Sequence, residues 1–211
     1  MREKTAYKNA TVKSSDFWRL LFRKPRKSHE FILDVEDTTG DDTADFAFLK
    51  PVDVLSSNPN FALGKFGDGI AEAQAAFSVP KGVNVYGGTF RLGASNVAGA
   101  DALKFTLNGG TLAAAAGTVN ALGPLMVGEN GGGIKLGEGA KLTFADSSAA
   151  TWPKGAHVTV AGFAKGSIKF GDSDAAVPRK HVFYKEDGTR LYIAPDGSLT
   201  DEPPGFKVIL K

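Results

Sequence analysis

Short segments in which apolar residues alternate with polar or small ones follow one another through the middle of this chain, and glycines separate them. Such alternation is typical of half-buried β-strands. It predicts strands at residues 83–86, 89–92, 103–107, 125–127, 142–144, 157–160 and 167–170. The glycines suit sharp turns between strands, because glycine adopts a positive φ without a steric penalty from a Cβ atom.

The glycines recur as pairs at a nearly constant interval, each followed by a β-branched residue. Gly87-Gly88-Thr89 precedes Gly109-Gly110-Thr111 by 22 residues, and Gly132-Gly133-Ile134 follows after 23 more. A weaker echo, Lys154-Gly155-Ala156, lies another 22 residues on. A period of roughly 20–25 residues is typical of a solenoid, in which each repeat buries its apolar face against its neighbours.

The repeat therefore predicts an all-β fold, a right-handed parallel β-helix (β-solenoid) of roughly four or five coils. We expect equivalent residues after the turns, namely Leu112, Leu136 and Val158, to line one interior column. We also expect the turn at Gly110 to require a positive φ. The structural turn glycines that this scheme predicts are Gly87, Gly88, Gly109, Gly110, Gly132 and Gly133.

Glycine usage divides the 211-residue chain into segments. Residues 1–81 hold 4 glycines, residues 82–171 hold 19 and residues 172–211 hold 3. We predict β-helix coils at 82–171, an extended β-segment at 31–81 in which 71–77 forms either a helix or part of a bulged coil, and a C-terminal β-meander cap at 172–211. The meander would turn at Asp187-Gly188 and at Asp196-Gly197, ahead of a last strand at 206–210.

Charge separates residues 1–30 from the rest of the chain. This loosely ordered N-terminal arm carries 9 Lys/Arg against 3 Asp/Glu, whereas residues 31–211 carry 16 against 20. Phe17, Leu20 and Leu21 share one face of a short predicted helix. One interpretation is contact with an anionic membrane, but one or two helical turns bury little apolar surface. We predict an appendage, so that deleting residues 1–30 leaves the solenoid folded; the competing interpretation is a cap on the first coil.

Several classes of protein are excluded by what the sequence lacks. Without cysteine there is no disulfide, thiolate metal site or cysteine nucleophile. No apolar run is long enough for a transmembrane helix. The apolar stretch at 17–22 is too short and interrupted for a secretion signal. A pI near 8.7 reflects the arm, so we expect no nucleic-acid partner.

The glycine-rich segments resemble a known family. Tyr86-Gly87-Gly88-Thr89-Phe90 and Leu107-Asn108-Gly109-Gly110-Thr111-Leu112 look like units of autotransporter-associated β-strand repeats. The order of Trp152, Gly162-Phe163, Ile168-Lys169-Phe170-Gly171 and Asp196-Gly197-Ser198-Leu199 is similar to the terminal module of such passengers. The resemblance implies a parallel β-helix that belongs to a large exported bacterial surface protein.

Candidate chemical motifs are sparse, and each has a simpler interpretation. Gly40-Asp41-Asp42 matches a short motif of pectin-degrading hydrolases, but its companion motifs are absent, so we interpret it as a turn. The glycine-rich segments at 128–133 and 137–141 lack the Gly-Lys-Ser/Thr of a phosphate loop and precede strands. Three further candidates stand alone. The histidines His29, His157 and His181 are not at ligand spacing, and Asp172-Ser173-Asp174 is a candidate calcium loop. A candidate sugar-stacking surface consists of Phe183, Tyr184 and Tyr192.

The expected function is structural. We predict no catalytic residues, no metal and no cofactor, and a non-enzymatic, adhesive segment of a bacterial cell-surface or secreted β-helix protein. Its partners would be glycans or host or cell-surface components, and its location extracellular or at the cell surface. The alternative is a carbohydrate-binding or carbohydrate-active β-helix, which an aromatic-lined groove or clustered acidic residues on one face would favour.

Overall fold

The fold was described from a computed structural model, which covers residues 30–53, 60–98, 103–179 and 182–203. Every regular element in these ranges is a β-strand. Predicted strands are found at each of the seven expected places, with bounds that differ by at most two residues. Residues 71–77 form a strand, a bend and the start of a second strand, so the helical interpretation of this stretch is wrong.

The strands follow the chain around successive turns of a coil with three faces, one strand to a face. In chain order they are β1 (Glu30–Asp34), β2 (Phe46–Phe48), β3 (Val52–Asp53), β4 (Ala62–Phe66), β5 (Ile70–Ala73), β6 (Phe77–Ser78), β7 (Val83–Val85), β8 (Thr89–Leu92), β9 (Phe105–Leu107), β10 (Thr111–Ala114), β11 (Val119–Leu122), β12 (Leu125–Val127), β13 (Gly132–Leu136), β14 (Lys141–Phe144), β15 (Val158–Ala161), β16 (Ile168–Phe170), β17 (Phe183–Lys185), β18 (Tyr192–Ile193) and β19 (Leu199–Thr200).

Each face is a parallel sheet built from strands of successive turns. Face 1 has the order β1-β4-β7-β9-β12, and face 2 has the order β2-β5-β8-β10-β13-β15-β17. Face 3 consists of β3-β6 and of β11-β14-β16. The predicted parallel β-helix is thereby confirmed, with about 6 turns where the sequence predicted four or five.

The additional turns come from both flanks of the glycine-rich segment. Strands β1 to β6, from the predicted extended segment 31–81 and the residue before it, form the first two turns. In the predicted cap, β17 still pairs in parallel with β15. Only β18 and β19 then pair antiparallel, across the predicted turn at Asp196-Gly197. The Asp187-Gly188 turn reverses the chain, so that Tyr184 and Arg190 form an antiparallel bridge.

The interior columns differ in register from the prediction. Leu112 lies between Phe90 and Ile134, and Val160 continues that column. Leu136 pairs with Ala114, and Val158 pairs with Gly132. All three predicted residues are buried, but they occupy three different columns. Residues 131–133 are all glycine, and the pair equivalent to Gly109-Gly110 is Gly131-Gly132, which preserves a 22-residue step. The prediction aligned the glycines one residue too late and then took Leu136, one residue further on, as the equivalent of Leu112.

Aromatic side chains fill the C-terminal end of the core. Phe144 stacks on Phe170 with a centroid distance of 5.0 Å, and Trp152 packs edge-on against Phe183 at 5.7 Å. Face 1 has no strand after β12 among the described residues. Two side chains bond to the backbone of Leu125 there instead. The Ser147 hydroxyl accepts a hydrogen bond from the Leu125 N–H at 2.9 Å, and the Trp152 indole N–H donates to the Leu125 carbonyl at 3.1 Å.

Candidate functional site

Four of the six predicted turn glycines, Gly87, Gly88, Gly109 and Gly110, lie where the chain passes from face 1 to face 2. Gly132 and Gly133 are instead the first two residues of strand β13. The glycines serve two different purposes. Gly88 and Gly109 have φ values of 55° and 111°, the left-handed region that favours glycine. A Cβ atom on Gly88 would also lie 2.5 Å from the carbonyl oxygens of Gly67 and Gly69. This turn therefore needs glycine for both its conformation and its packing.

At Gly110 the need for glycine comes from packing alone. Its φ is outside the left-handed region, so the expected positive φ is wrong, yet a Cβ atom there would lie 2.5 Å from Cγ1 of Val85. Gly132 and Gly133 are alike in this respect. A Cβ atom on Gly132 would lie 2.6 Å from the Gly110 carbonyl oxygen, and one on Gly133 would lie 2.7 Å from Oγ1 of Thr111. Gly87 is less constrained, at 3.2 Å from the Gly67 oxygen.

Two other residue types were expected near the corner between faces 1 and 2, namely asparagines and the weaker glycine echo at 154–156. Among the described non-glycine residues only Asn96 has a positive φ. The side chain of Asn108 accepts a 3.2 Å hydrogen bond from the N–H of Asn130 in the next turn. The echo Lys154-Gly155-Ala156 precedes the corner, where the His157 carbonyl accepts from the N–H of Gly132.

The Gly40-Asp41-Asp42 motif lies in the loop that joins β1 to β2. Asp41 accepts from the hydroxyl and the N–H of Thr43, at 2.6 and 2.8 Å, and these bonds lower the pKa of the Asp41 carboxyl. Asp37 accepts from the N–H of Gly40 at 2.7 Å. Asp41 and Asp37 thus bond to the loop's own backbone, which supports the interpretation of this motif as a turn.

This loop crosses the outer side of face 2. The Asp42 carbonyl accepts from the Arg91 guanidinium at 2.7 Å, and its carboxylate pairs with Lys135 at 2.8 Å. Arg91 and Lys135 belong to the third and fifth turns, whose strands lie about 10 Å apart along the axis, and both side chains reach Asp42. Beneath it Ala113 is buried although it points outward, and Arg91 also pairs with Glu72.

A buried lysine is the one strongly perturbed ionisable group described. Lys65 occupies the interior column between Leu33 and Val85 and is 0% exposed. Its ammonium group donates to three carbonyl oxygens at the corner, those of Phe66, Gly67 and Gly87, at 2.6, 2.9 and 3.2 Å. Burial lowers the pKa of Lys65 to about 8, against the opposing influence of Asp34, Asp68 and Asp45.

A second buried polar residue, Asn120, bridges the two parts of face 3. The loop after β8 forms no strand on this face, and Asn120 is 1% exposed beside it. The side chain accepts from the N–H of Val97 at 2.9 Å and donates to the carbonyl of Ala94 at 3.0 Å. Asn120 therefore supplies hydrogen bonds that a strand would supply elsewhere.

The outer side of face 1 carries a cluster of one carboxylate, one amide and two rings. Glu30 accepts from the Asn84 amide at 2.6 Å and hydrogen-bonds to the Tyr86 hydroxyl. Burial, followed by the Glu30 charge, raises the pKa of Tyr86. The Tyr86 and Phe66 rings stack at 4.6 Å. Gly64 makes room for the cluster, because a Cβ atom there would lie 2.8 Å from the Phe66 ring.

The remaining sequence candidates do not converge on a site. His29 and His181 lie outside the described residues. The ring of His157 stacks on that of Tyr184 at 5.0 Å, and Phe183 is buried in the core. Asp172 pairs with Lys169 at 2.7 Å. Within the described ranges no group of three or more His, Cys, Asp or Glu residues is placed to hold a metal ion. The glycine-rich segments at 128–133 and 137–141 lead into strands, since β13 begins at Gly132 and β14 at Lys141.

Comparison of the chain with protein-family models, with curated proteins and with solved structures found no match. The resemblance to autotransporter-associated repeats therefore stays a prediction. No helix in the part of the chain that the structure describes is long and apolar enough to cross a membrane.

The two interior polar residues, Lys65 and Asn120, were missed by sequence reasoning. Lys65 lies in the segment Leu63-Gly64-Lys65, and Asn120 lies in Val119-Asn120-Ala121-Leu122; neither segment was predicted to be a strand. A signal does exist in the alternation itself: Lys65 and Asn120 stand at inward positions of the period-2 pattern, where apolar residues are expected.

Proposed function

We propose that the chain is a non-enzymatic structural and adhesive segment of a bacterial surface or secreted β-helix protein. The observation that carries the proposal is how its polar groups are used. Lys65, Asn120 and the Glu72–Arg91 pair connect neighbouring turns. Lys65 lies on face 1, Asn120 on face 3 and the ion pair on face 2, so such groups join the turns on every face and bond within the protein rather than to a substrate.

The mechanism is passive. Backbone ladders about 4.8 Å apart stack about 6 turns into a rod of roughly 30 Å. Stacked apolar columns make the rod rigid, and loops on its outer faces present contact surfaces to glycans or to components of a host or cell surface. The sequence resemblance to autotransporter passengers supports an extracellular or cell-surface location.

Two measurements test this proposal. Protease added to intact cells that produce the protein should digest it if it lies at the cell surface; complete protection with an intact cell envelope would contradict the location. Incubation with pectic and other acidic polysaccharides should release no products. Turnover that Asp41→Asn or Asp42→Asn abolishes would show instead that the loop between β1 and β2 is catalytic.

Glycan binding is the second candidate, and the cluster on face 1 favours it. Glu30 and Asn84 provide the acceptor and donor groups that sugar hydroxyls require, beside the rings of Phe66 and Tyr86. These rings stack on each other, so each has one face covered. A glycan array would test the candidate: binding lost in Asn84→Ala and kept in Thr106→Ala, one turn further along the face, would support it.

A further inference from the structure

The first turn of the solenoid has an unusual charge. Residues 30–53 contain 8 Asp/Glu and a single basic residue, Lys50, a balance of −7. Residues 1–29, which precede β1, contain 9 Lys/Arg and 2 Asp/Glu, a balance of +7. Two adjoining segments of one chain thus carry equal and opposite charge, and such segments attract each other unless salt screens them.

The same turn is the end of the apolar core. Phe31 is the first residue of the interior column that continues through Leu63, and Phe46 is the first of the column that continues through Ala71. Leu63 and Ala71 are buried, whereas Phe31 and Phe46 are half-buried, and Leu49 beside them is 52% exposed. Solenoids need a polar-faced cap over such an end.

The preceding segment has the chemistry and the reach to provide that cap. In the helix that the sequence predicts, Phe17, Leu20 and Leu21 would share an apolar face, and basic residues lie on both sides of them in the sequence. Eight residues lie between Leu21 and Glu30, and an extended chain of that length spans up to roughly 30 Å, well over the width of one coil. Tethering by so short a linker gives an effective concentration in the millimolar range.

We propose that residues 1–29 bind the first turn, residues 30–53, of the same chain. The apolar side chains Phe17, Trp18, Leu20 and Leu21 cover the apolar end of the core, and the surrounding Lys and Arg side chains pair with the acidic first turn. This is the capping interpretation of the N-terminal arm. The proposal is independent of the adhesive function, because it concerns only how one end of the rod is closed.

Trp18 reports on this contact in the full-length chain. The other tryptophan, Trp152, is 1% exposed, so subtracting the emission of a Trp18→Phe variant isolates Trp18. At about 0.01 M salt, where the Debye length is about 30 Å, Trp18 should emit at a short wavelength, independently of protein concentration. Emission at the wavelength of indole in water would overturn the proposal.

Charge reversal separates the docking from a general effect of charge. Glu36→Lys with Asp53→Lys, both exposed in the first turn, should shift the Trp18 emission to longer wavelength and lower the melting temperature by roughly 2–4 °C. The matched control, Glu129→Lys with Glu186→Lys, changes the net charge equally at exposed sites elsewhere and should leave the emission unchanged. An equal response from both variants would contradict the proposal.

Two further measurements of Trp18 emission show whether residues 1–29 bind something other than the first turn of the same chain. A blue shift that grows with protein concentration would mean that the segment docks on a second copy, and one that arises only when phosphatidylglycerol vesicles are added would mean that it binds membrane. Either result overturns the intramolecular contact, and neither decides the adhesive function, which is tested by cell-surface protease digestion.

Discussion

The first two turns and the three that follow build the same sheets from different residues. In the third to fifth turns, residues 83–144, glycine pairs form the corner between faces 1 and 2. Register partners there lie 22 residues apart, as Thr89 and Thr111 do and as Thr111 and Gly133 do. In the first two turns, residues 30–78, the step from Phe46 to Ala71 is 25 residues and no glycine pair occurs. Polar side chains hold the corner there.

The difference shows two ways of satisfying a tight corner. Where glycine removes the Cβ atom, backbone groups of neighbouring turns approach closely and bond directly, as Thr111 does to the carbonyl of Gly88 at 2.9 Å. Where the chain takes longer paths, side chains reach the backbone. Asp45 accepts from the N–H of Ile70 at 2.9 Å, and Lys65 donates to three carbonyls.

We expect the largest loss of stability from Gly88→Ala, which tests the glycine corner. Strain at positive φ costs about 1–2 kcal/mol, and a clash with two backbone oxygens that side chains cannot relieve costs a further 1–3 kcal/mol, roughly. Denaturant midpoints would measure the change. Gly117→Ala is the matched control, because Gly117 has φ 70° but nothing within 4 Å. Equal losses would show that packing at the corner is unimportant.

Asn120→Leu should cost about 2–4 kcal/mol, because it leaves the Val97 N–H and the Ala94 carbonyl buried without partners. The position itself accepts apolar side chains, since its register partners are Leu142 and Ile168. Leu142→Asn in the next turn provides a reciprocal comparison. If Asn120→Leu were as stable as the unchanged protein, the bridge across face 3 would not need the amide.

Lys65 makes the first two turns sensitive to pH. Its pKa of about 8 in the folded protein lies below 10.5, so between these values the unfolded chain binds more protons and stability rises with pH. The cost of burying the charge is fully present below pH 8 and disappears above 10.5, a change of about 3 kcal/mol. Lys65→Met should abolish this part of the pH dependence, measured as the difference between denaturant midpoints at each pH.

The smallest effect is expected on the outer side of face 2. Asp42→Asn removes an exposed ion pair with Lys135, and such pairs contribute about 0–1 kcal/mol. The Asp42 carbonyl keeps its bond to Arg91. A melting temperature lowered by more than about 4 °C would mean that the loop between β1 and β2 holds the third and fifth turns together more firmly than its contacts indicate.

Sequence reasoning succeeded where local pattern decides structure. Strands such as β8 and β14 and the turn at Asp196-Gly197 follow from alternation and turn chemistry over a few residues. It misjudged the register at Gly131-Gly132-Gly133, because three consecutive glycines fit two alignments. It also underestimated the number of turns, because the first two lack the glycine pairs on which the repeat was recognised.

The sequence by itself determined the β-solenoid, its repeat length and its glycine corners, since these depend on period-2 alternation and on the absence of a Cβ atom. Only the tertiary structure decided which residues meet between turns. Lys65 reaches the Gly87 carbonyl across 22 positions, and Asp42 reaches Lys135 across 93. Such contacts depend on how neighbouring turns stack, and stacking is a property of the assembled coil that no local window of sequence contains.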